Sequence, residues 1–123
     1  MAEFQRLTPS TVLVVEDDVL MQLELASWLG ELGLTVLTAD NADDALPLLD
    51  AHPEIEHLLT DIQMPGSMDG IRLAYCAAER RPRPNIIVVS GKCGVDASHL
   101  PPGSAFVPKP FERRQIWSAL ANI

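Results

Sequence analysis

Four short apolar segments of the sequence end in residues that can do chemistry. An acidic run at 16–18 follows the first segment, Asp61 ends another, Ser90 closes a third and Lys109 comes just after the last. Crowded carboxylates repel one another, so we expect a compensating cation beside them. None of the residues at these segment ends is a histidine or a cysteine, which favours a hard, oxygen-binding ion such as Mg²⁺.

A carboxylate beside Mg²⁺ can act as a nucleophile toward phosphorus and form an aspartyl phosphate. The metal and the ammonium of Lys109 would neutralise the three equatorial phosphoryl oxygens, and the hydroxyl of Ser90 could donate a hydrogen bond to one of them. The residue types are therefore those of phosphoryl transfer to a carboxylate.

These residues need a scaffold that brings distant parts of the chain together, and the hydrophobic pattern predicts one. Apolar runs typical of buried strands alternate with segments of helical periodicity. The alternation predicts an α/β fold with a five-stranded parallel sheet, doubly wound by helices on both faces and flavodoxin-like. We expect strands at 11–16, 34–39, 57–62, 85–90 and 105–107, and helices at 19–32, 42–51, 71–81 and 112–122. Ligands of such sheets bind at the carboxyl ends of the strands, which is where the reactive residues fall.

Several residues predict where the helices begin and where they are interrupted. Asn41 is a good N-cap, and Asp18 and Asp69 are expected to cap helices rather than to bind metal. Pro47 lacks an amide donor, so we expect a kink or an early break in its helix. The segment 92–104 is rich in proline and glycine and is expected to hold at most a short or irregular fourth helix.

Composition narrows the classes of protein further. The chain of 123 residues fits a single domain, 1–123 with a core of about 11–122 and no output domain. A net charge of −8 argues against a nucleic-acid partner, and no apolar run is long enough to cross a membrane. The N-terminus lacks the apolar core of a signal peptide, so we expect a cytoplasmic protein. Cys76 and Cys93 have no metal-binding spacing and are expected to be free thiols.

Four motifs together resemble a known family. VLVVEDD, LLTDIQMPGSMDG, IIVVSG and FVPKPF occur in this order and spacing, as in the receiver (chemotaxis-Y-like) domain of two-component response regulators. The resemblance covers about residues 11–120. Each motif falls at the end of a predicted strand, which makes the combination far more specific than any motif alone.

The resemblance implies a role for each site residue. Asp61 matches the phosphoacceptor, Asp17 the direct Mg²⁺ ligand, and Glu16 a second acid that acts through water. The backbone carbonyl of Gln63 would complete the metal site. In the same comparison Ser90 matches the switch hydroxyl.

The remaining matches concern the last strand and the loops. Lys109 matches the lysine that pairs with the phosphoryl group, with a cis bond to Pro110, and Phe106 falls at the aromatic switch position, although it could equally be a core residue. Gln63 and Lys92 match positions that tune the lifetime of the phosphoryl group. Two features depart from the family pattern: the loop MPGSMDG is one residue longer than the common form, and the segment between Ser90 and Lys109 is short.

The function implied is that of a phosphoacceptor in two-component signalling. Its donor would be a phosphohistidine on a sensor histidine kinase or a histidine phosphotransfer protein, and its output a conformational change sensed by a protein partner or onward phosphate relay. We expect slow self-dephosphorylation rather than enzyme activity.

Two alternative functions belong to other classes of protein. The first is a pseudo-receiver that binds proteins without being phosphorylated. The second is a phosphatase of the haloacid dehalogenase type, which needs a second aspartate two residues after the nucleophile, where this chain has Gln63.

Overall fold

The structure is a computed structural model that describes residues 4–91 and 94–122. The elements are β1 (Thr11–Val15), α1 (Val19–Glu31), β2 (Thr35–Ala39), α2 (Ala42–Ala51), β3 (Ile55–Asp61), α3 (Gly70–Ala78), β4 (Asn85–Ser90), β5 (Ala105–Pro108) and α4 (Arg113–Ala121). A single turn of 3-10 helix, Ala97–His99, lies between β4 and β5. None of the described helices has the length and apolar composition needed to span a membrane.

The five strands form one parallel sheet in the order β2-β1-β3-β4-β5. The chain moves from β1 to β2 on one side and then returns past β1 to β3 on the other. This reversal opens a crevice at the carboxyl ends of β1 and β3, the place where open α/β sheets bind ligands. The predicted doubly wound parallel sheet is confirmed.

Two hydrophobic cores lie on opposite faces of the sheet, which explains why β1 is apolar at each position from Val12 to Val15. Leu13 and Val15 point to the core beneath α2 and α3, whereas Val12 and Val14 point to the core beneath α1 and α4. A strand covered on both faces buries all of its side chains.

The predicted caps are present. The side chain of Asp18 accepts a hydrogen bond from the amide of Met21 at 3.1 Å, and Asn41 accepts one from Asp44 at 2.8 Å. Asp69 caps α3 by accepting from the amide of Arg72 at 2.9 Å. Each of these helices therefore begins where its sequence signal predicts.

Of the kink or early break predicted at Pro47, the early break is wrong, because α2 continues past the proline to Ala51. Ala42 and Ala45 before the proline and Leu49 after it are all buried against the sheet. Packing on both sides thus holds the helix together despite the missing amide donor.

The third helix ends at Ala78, three residues before the predicted end at Arg81. The residue before a proline disfavours the helical region, so Arg81 cannot extend the helix toward Pro82. Two arginine side chains instead satisfy carbonyls of the last turn: Nη1 of Arg80 donates to Cys76 at 2.8 Å, and Nη1 of Arg81 donates to Ala78 at 3.0 Å.

The sequence predicted at most a short or irregular helix between β4 and β5. The single 3-10 turn at Ala97–His99 confirms this prediction. The thiol of Cys76 is free, as predicted, while Cys93 and Lys92 lie outside the described residues.

Candidate functional site

Three carboxylates meet at the carboxyl ends of β1 and β3. One oxygen from each of Glu16, Asp17 and Asp61 lies within 4.8 Å of the other two. Glu16 is buried, with only 4% of its surface exposed, whereas Asp17 is exposed and Asp61 lies between these extremes. The cluster forms because β1 and β3 are paired neighbours in the sheet.

The ammonium of Lys109, which follows β5, reaches across to this cluster. Its Nζ lies 2.8 Å from Oδ2 of Asp61 and 3.5 Å from Oε1 of Glu16. The backbone amide of Lys109 also donates to the carbonyl of Ser90 at 2.9 Å, which ties the lysine to the end of β4. The predicted cis bond between Lys109 and Pro110 is present.

Backbone amides hold the other carboxylate oxygens. Oδ1 of Asp61 accepts a hydrogen bond from the amide of Ile62 at 2.7 Å. Oε2 of Glu16 accepts one from the amide of Asp18 at 3.1 Å. Both carboxylates are therefore oriented by the strand ends that carry them, before any ligand binds.

The electrostatics of the cluster favour an additional cation. Burial raises the pKa of Glu16, and the charge of Asp61 acts in the same direction, while the amide of Asp18 and the charge of Lys109 oppose them. Burial alone would lower the pKa of Lys109, but its hydrogen bond to Asp61 and the charges of Asp61 and Glu16 raise it.

In the described part of the chain, the ion pairs of these carboxylates come from Lys109 alone. One ammonium leaves an excess of negative charge that a divalent cation would balance.

The other predicted site residues surround this cluster. Ser90 ends β4, is buried at 2% exposure, and stands beside Pro108 of β5. Phe106 pairs with Val88 in the sheet, is half-buried and packs against the core beneath α2 and α3. Gln63 is exposed in the loop that follows Asp61, so its backbone is near the cluster while its side chain faces solvent.

Gly70 contributes to the site in a way that the motifs alone did not reveal. A Cβ atom at Gly70 would lie 1.9 Å from the carbonyl oxygen of Asp61, so no other residue fits without moving the backbone. The amide of Gly70 donates to the carbonyl of Ile62 at 2.9 Å. The start of α3 thus rests directly on the backbone of Asp61.

Gln22 of α1 is a second residue that sequence analysis missed. Its Nε2 donates to the carbonyl of Glu16 at 2.9 Å and to that of Ala39 at 3.2 Å, and it also reaches Oδ1 of Asp40 at 3.0 Å. The amide group therefore braces the ends of β1 and β2 next to the acids. A glutamine in the first turns of a helix carries no sequence signal for such a role.

Comparisons with known proteins agree with this geometry. Residues 12–121 match the family described as the response regulator receiver domain. The chain is 34% identical over 104 residues to the DNA-binding transcriptional regulator NtrC of Salmonella typhimurium, covering 82% of this chain and 22% of NtrC. The chain therefore belongs to the response regulator receiver domain family, and it spans about a fifth of the length of that relative.

Solved structures show the same fold. A response regulator receiver protein from Sinorhizobium medicae superposes with a TM-score of 0.85 at 28% identity, covering 93% of each chain. A chain of the CheX-CheY-BeF3-Mg complex from Borrelia burgdorferi gives a TM-score of 0.80 at 27% identity, covering 92% of this chain and 87% of that one. Receiver domains bind Mg²⁺ at an acidic pocket, and Glu16, Asp17 and Asp61 form a cluster of that kind.

Proposed function

We propose that this chain accepts a phosphoryl group on Asp61 with the help of Mg²⁺ and signals to a protein partner through a change in its surface. The observation that carries the proposal is the position of Asp61. Its carboxylate lies 2.8 Å from the ammonium of Lys109 and close to two further acids, in the crevice where the sheet reverses its strand order.

The donor set fits Mg²⁺, because it offers carboxylates, with a backbone carbonyl in the adjoining loop. Asp17 is the exposed acid that would bind the ion directly, and buried Glu16 would act through water. Asp61 and the carbonyl of Gln63 would complete the set. When bound, the ion would supply positive charge for the equatorial phosphoryl oxygens.

The chain's own residues would do the remaining work of the transfer. A carboxylate oxygen of Asp61 attacks the phosphorus of a phosphohistidine, the P–N bond breaks, and its electron pair returns to the imidazole of the donor. Lys109 stays beside the new acyl phosphate and pairs with an oxygen of the transferred group. The aspartyl phosphate would then be lost slowly to water, so the chain acts as a phosphoacceptor rather than an enzyme acting on free substrates.

The signal would start at the switch residues. Ser90 would move toward a phosphoryl oxygen, and Phe106 would rotate into the space that this movement opens. The bond from the amide of Lys109 to the carbonyl of Ser90 supports this coupling, since it links the phosphate-pairing residue to the end of β4. The surface altered would be that of β5, α4 and the 3-10 turn.

An exposed apolar patch lies at the start of α1, next in sequence to the acidic residues. Val19, Leu20 and Leu23, here called the α1 patch, are 67%, 71% and 59% exposed. They begin two residues after Asp17, at the edge of the acidic crevice. Receiver domains interact with histidine kinases or phosphotransfer proteins, and we propose that the α1 patch contacts such a donor in the cytoplasm.

Chemical phosphorylation tests the proposal directly. Incubation with acetyl phosphate and Mg²⁺ should add one phosphoryl group, detected by intact mass, and peptide mapping should place it on Asp61. Asp61→Asn should remove the adduct. Asp69→Asn is the matched control, because asparagine preserves the cap of α3 and the labelling should be unchanged. An unlabelled wild-type chain, or a labelled Asp61→Asn variant, contradicts the proposal.

The same preparation separates the two alternatives. A pseudo-receiver would show no Mg²⁺ binding that depends on Asp17, so titration of wild type and Asp17→Asn distinguishes it. A phosphatase would hydrolyse a chromogenic phosphate ester with multiple turnovers, whereas we expect none because Gln63 cannot serve as the acid or base.

A further inference from the structure

The loop between β3 and α3 is fastened to α2 by a single carboxylate. Oδ2 of Asp43 accepts a hydrogen bond from the amide of Ser67 at 2.9 Å, and Oδ1 accepts one from the hydroxyl of Ser67 at 2.6 Å. The hydroxyl and the amide of Ser67 together hold the pKa of Asp43 below its ordinary value. Both oxygens of the carboxylate are thus engaged by one residue of the loop.

Gly66 makes this close approach possible. Its φ of +112° lies in the region that favours glycine, and a Cβ atom there would lie 2.5 Å from Oδ2 of Asp43. Gly66 and Ser67 both lie in the MPGSMDG segment of this loop. The turn at Gly66 therefore brings the next residue, Ser67, against Asp43 of α2.

The anchored loop begins and ends at the phosphoacceptor. The amide of Ile62 donates to Asp61, and the amide of Gly70 donates back to the carbonyl of Ile62 at 2.9 Å. Residues 63–69 therefore leave and rejoin the fold beside Asp61, while Ser67 near their midpoint is held by Asp43. The anchor at Ser67 and the phosphoacceptor Asp61 therefore lie on one short continuous segment.

We propose that Asp43 is a positioning residue for the chemistry at Asp61: by holding Ser67, it keeps the loop 63–69 closed beside the carboxylate and slows the loss of the phosphoryl group to water. This inference rests on the proposed function. In the reaction concerned, a water oxygen attacks phosphorus, the P–O bond to Asp61 breaks with its electron pair returning to the carboxylate, and inorganic phosphate leaves. A loosened loop admits water more often and so shortens the lifetime of the aspartyl phosphate.

The experiment compares lifetimes in variants of the full chain. Each protein is phosphorylated with acetyl phosphate at saturating Mg²⁺, the donor is removed, and the phosphorylated fraction is followed by intact mass. Asp43→Ala loses both hydrogen bonds from Ser67 and should lose its phosphoryl group at least about fivefold faster than wild type, the factor that corresponds to one net hydrogen-bond contribution. Asp43→Asn should fall between the two, because an amide oxygen keeps one acceptor.

Two further comparisons make the test specific. Asp44→Ala is the matched control, since it removes the same charge from the same helical turn and should leave the lifetime unchanged. Ser67→Ala removes the hydroxyl bond alone and should have a smaller effect than Asp43→Ala. The double variant Asp43→Ala/Ser67→Ala should be no faster than Asp43→Ala, because both changes remove the same contact.

Amide exchange measures the loop itself. The amide of Ser67 should exchange faster in Asp43→Ala than in Asp44→Ala, whereas amides of β3 should be unchanged. If Asp43→Ala fails to fold, Asp43→Asn and Ser67→Ala provide the same comparison with smaller expected effects.

The outcomes are distinguishable. A wild-type chain that takes no phosphoryl group contradicts the proposed function, and the present inference with it. A phosphorylated wild type whose lifetime equals that of Asp43→Ala overturns this inference alone. Faster loss in Asp44→Ala as well would show that charge on α2, and not the contact with Ser67, sets the lifetime.

Discussion

Nζ of Lys109 lies 2.8 Å from Oδ2 of Asp61, although the two residues are 48 positions apart in sequence. The lysine comes from the end of the edge strand β5 and the aspartate from the central strand β3. Their contact neutralises the charge of Asp61 within the protein. Glu16 has only the longer contact with Lys109, at 3.5 Å, and the exposed carboxylate of Asp17 faces solvent.

The buried carboxylate of Glu16 should cost the metal-free protein stability. The pKa of Glu16 is raised in the folded state, so the unfolded chain gives up the carboxyl proton more readily than the folded protein does. The free energy of unfolding therefore falls as pH rises through the pKa of the folded state. Glu16→Gln should therefore raise the thermal midpoint in a chelator at neutral pH by about 2–5 °C. With excess Mg²⁺ the wild type should gain more than the variant.

Glu24→Gln is the control for that comparison, because Glu24 is exposed on α1 and its midpoint should not change in either condition. Equal midpoints for wild type and Glu16→Gln, with and without Mg²⁺, would contradict the prediction.

Gly70 should tolerate no side chain. Gly70→Ala forces a methyl group against the carbonyl of Asp61, where a Cβ atom would lie at 1.9 Å, so the free energy of unfolding should fall by about 2 kcal/mol or more. The displaced backbone should also reduce labelling of Asp61 by acetyl phosphate. Denaturant titration and intact mass measure the two effects.

Gly30 offers the opposite case in the same protein. A Cβ atom at Gly30 meets nothing within 4 Å, and the residue lies within α1. Gly30→Ala should therefore raise the free energy of unfolding by about 0.5–1 kcal/mol and leave labelling intact. Destabilisation by both substitutions to a similar extent would show that close contact with Asp61 is not the cause.

His57 should make the protein less stable in mild acid. Its Nδ1 accepts from Nδ2 of Asn85 at 3.2 Å, and that amide also donates to the carbonyl of Ala119 at 2.9 Å. A proton on Nδ1 would face an amide donor. Burial lowers the pKa of His57 below 6.5, and the charge of Glu56 acts in the opposite direction.

Because the folded state resists the proton that the unfolded state accepts, stability should fall as pH drops below about 6.5 and level off below the pKa of the folded state. His57→Gln should show a smaller loss of unfolding free energy between about pH 7.5 and about pH 5.5. An unchanged pH dependence in His57→Gln would count against this explanation.

The segment before β1 should contribute to stability, although it lies outside the family match. Phe4 packs between the rings of Trp28 and Trp117, with centroids 5.9 Å and 6.0 Å away, and Nε1 of Trp117 donates to the carbonyl of Gln5 at 3.0 Å. Phe4→Ala should lower the free energy of unfolding by about 1–2 kcal/mol and change the tryptophan fluorescence. Gln5→Ala keeps the backbone carbonyl and should leave both measurements unchanged.

Much of the fold was predictable because its signals are local. The continuous apolar run of β1 and the caps at Asn41 and Asp69 each depend on a few neighbouring residues, and the structure confirms them. The meeting of Asp17, Asp61 and Lys109 was also predictable. Parallel strands expose their carboxyl ends at one edge, so residues at those ends converge whatever their separation in sequence.

Only the tertiary structure decided the remaining features, because they depend on contacts between distant segments. The continuation of α2 through Pro47 follows from burial against the sheet, and the requirement for Gly70 follows from the backbone of Asp61. The bond between Asp43 and Ser67 joins residues 24 positions apart. No local pattern encodes such a pair, since each side chain acquires its partner only when packing brings the two elements together.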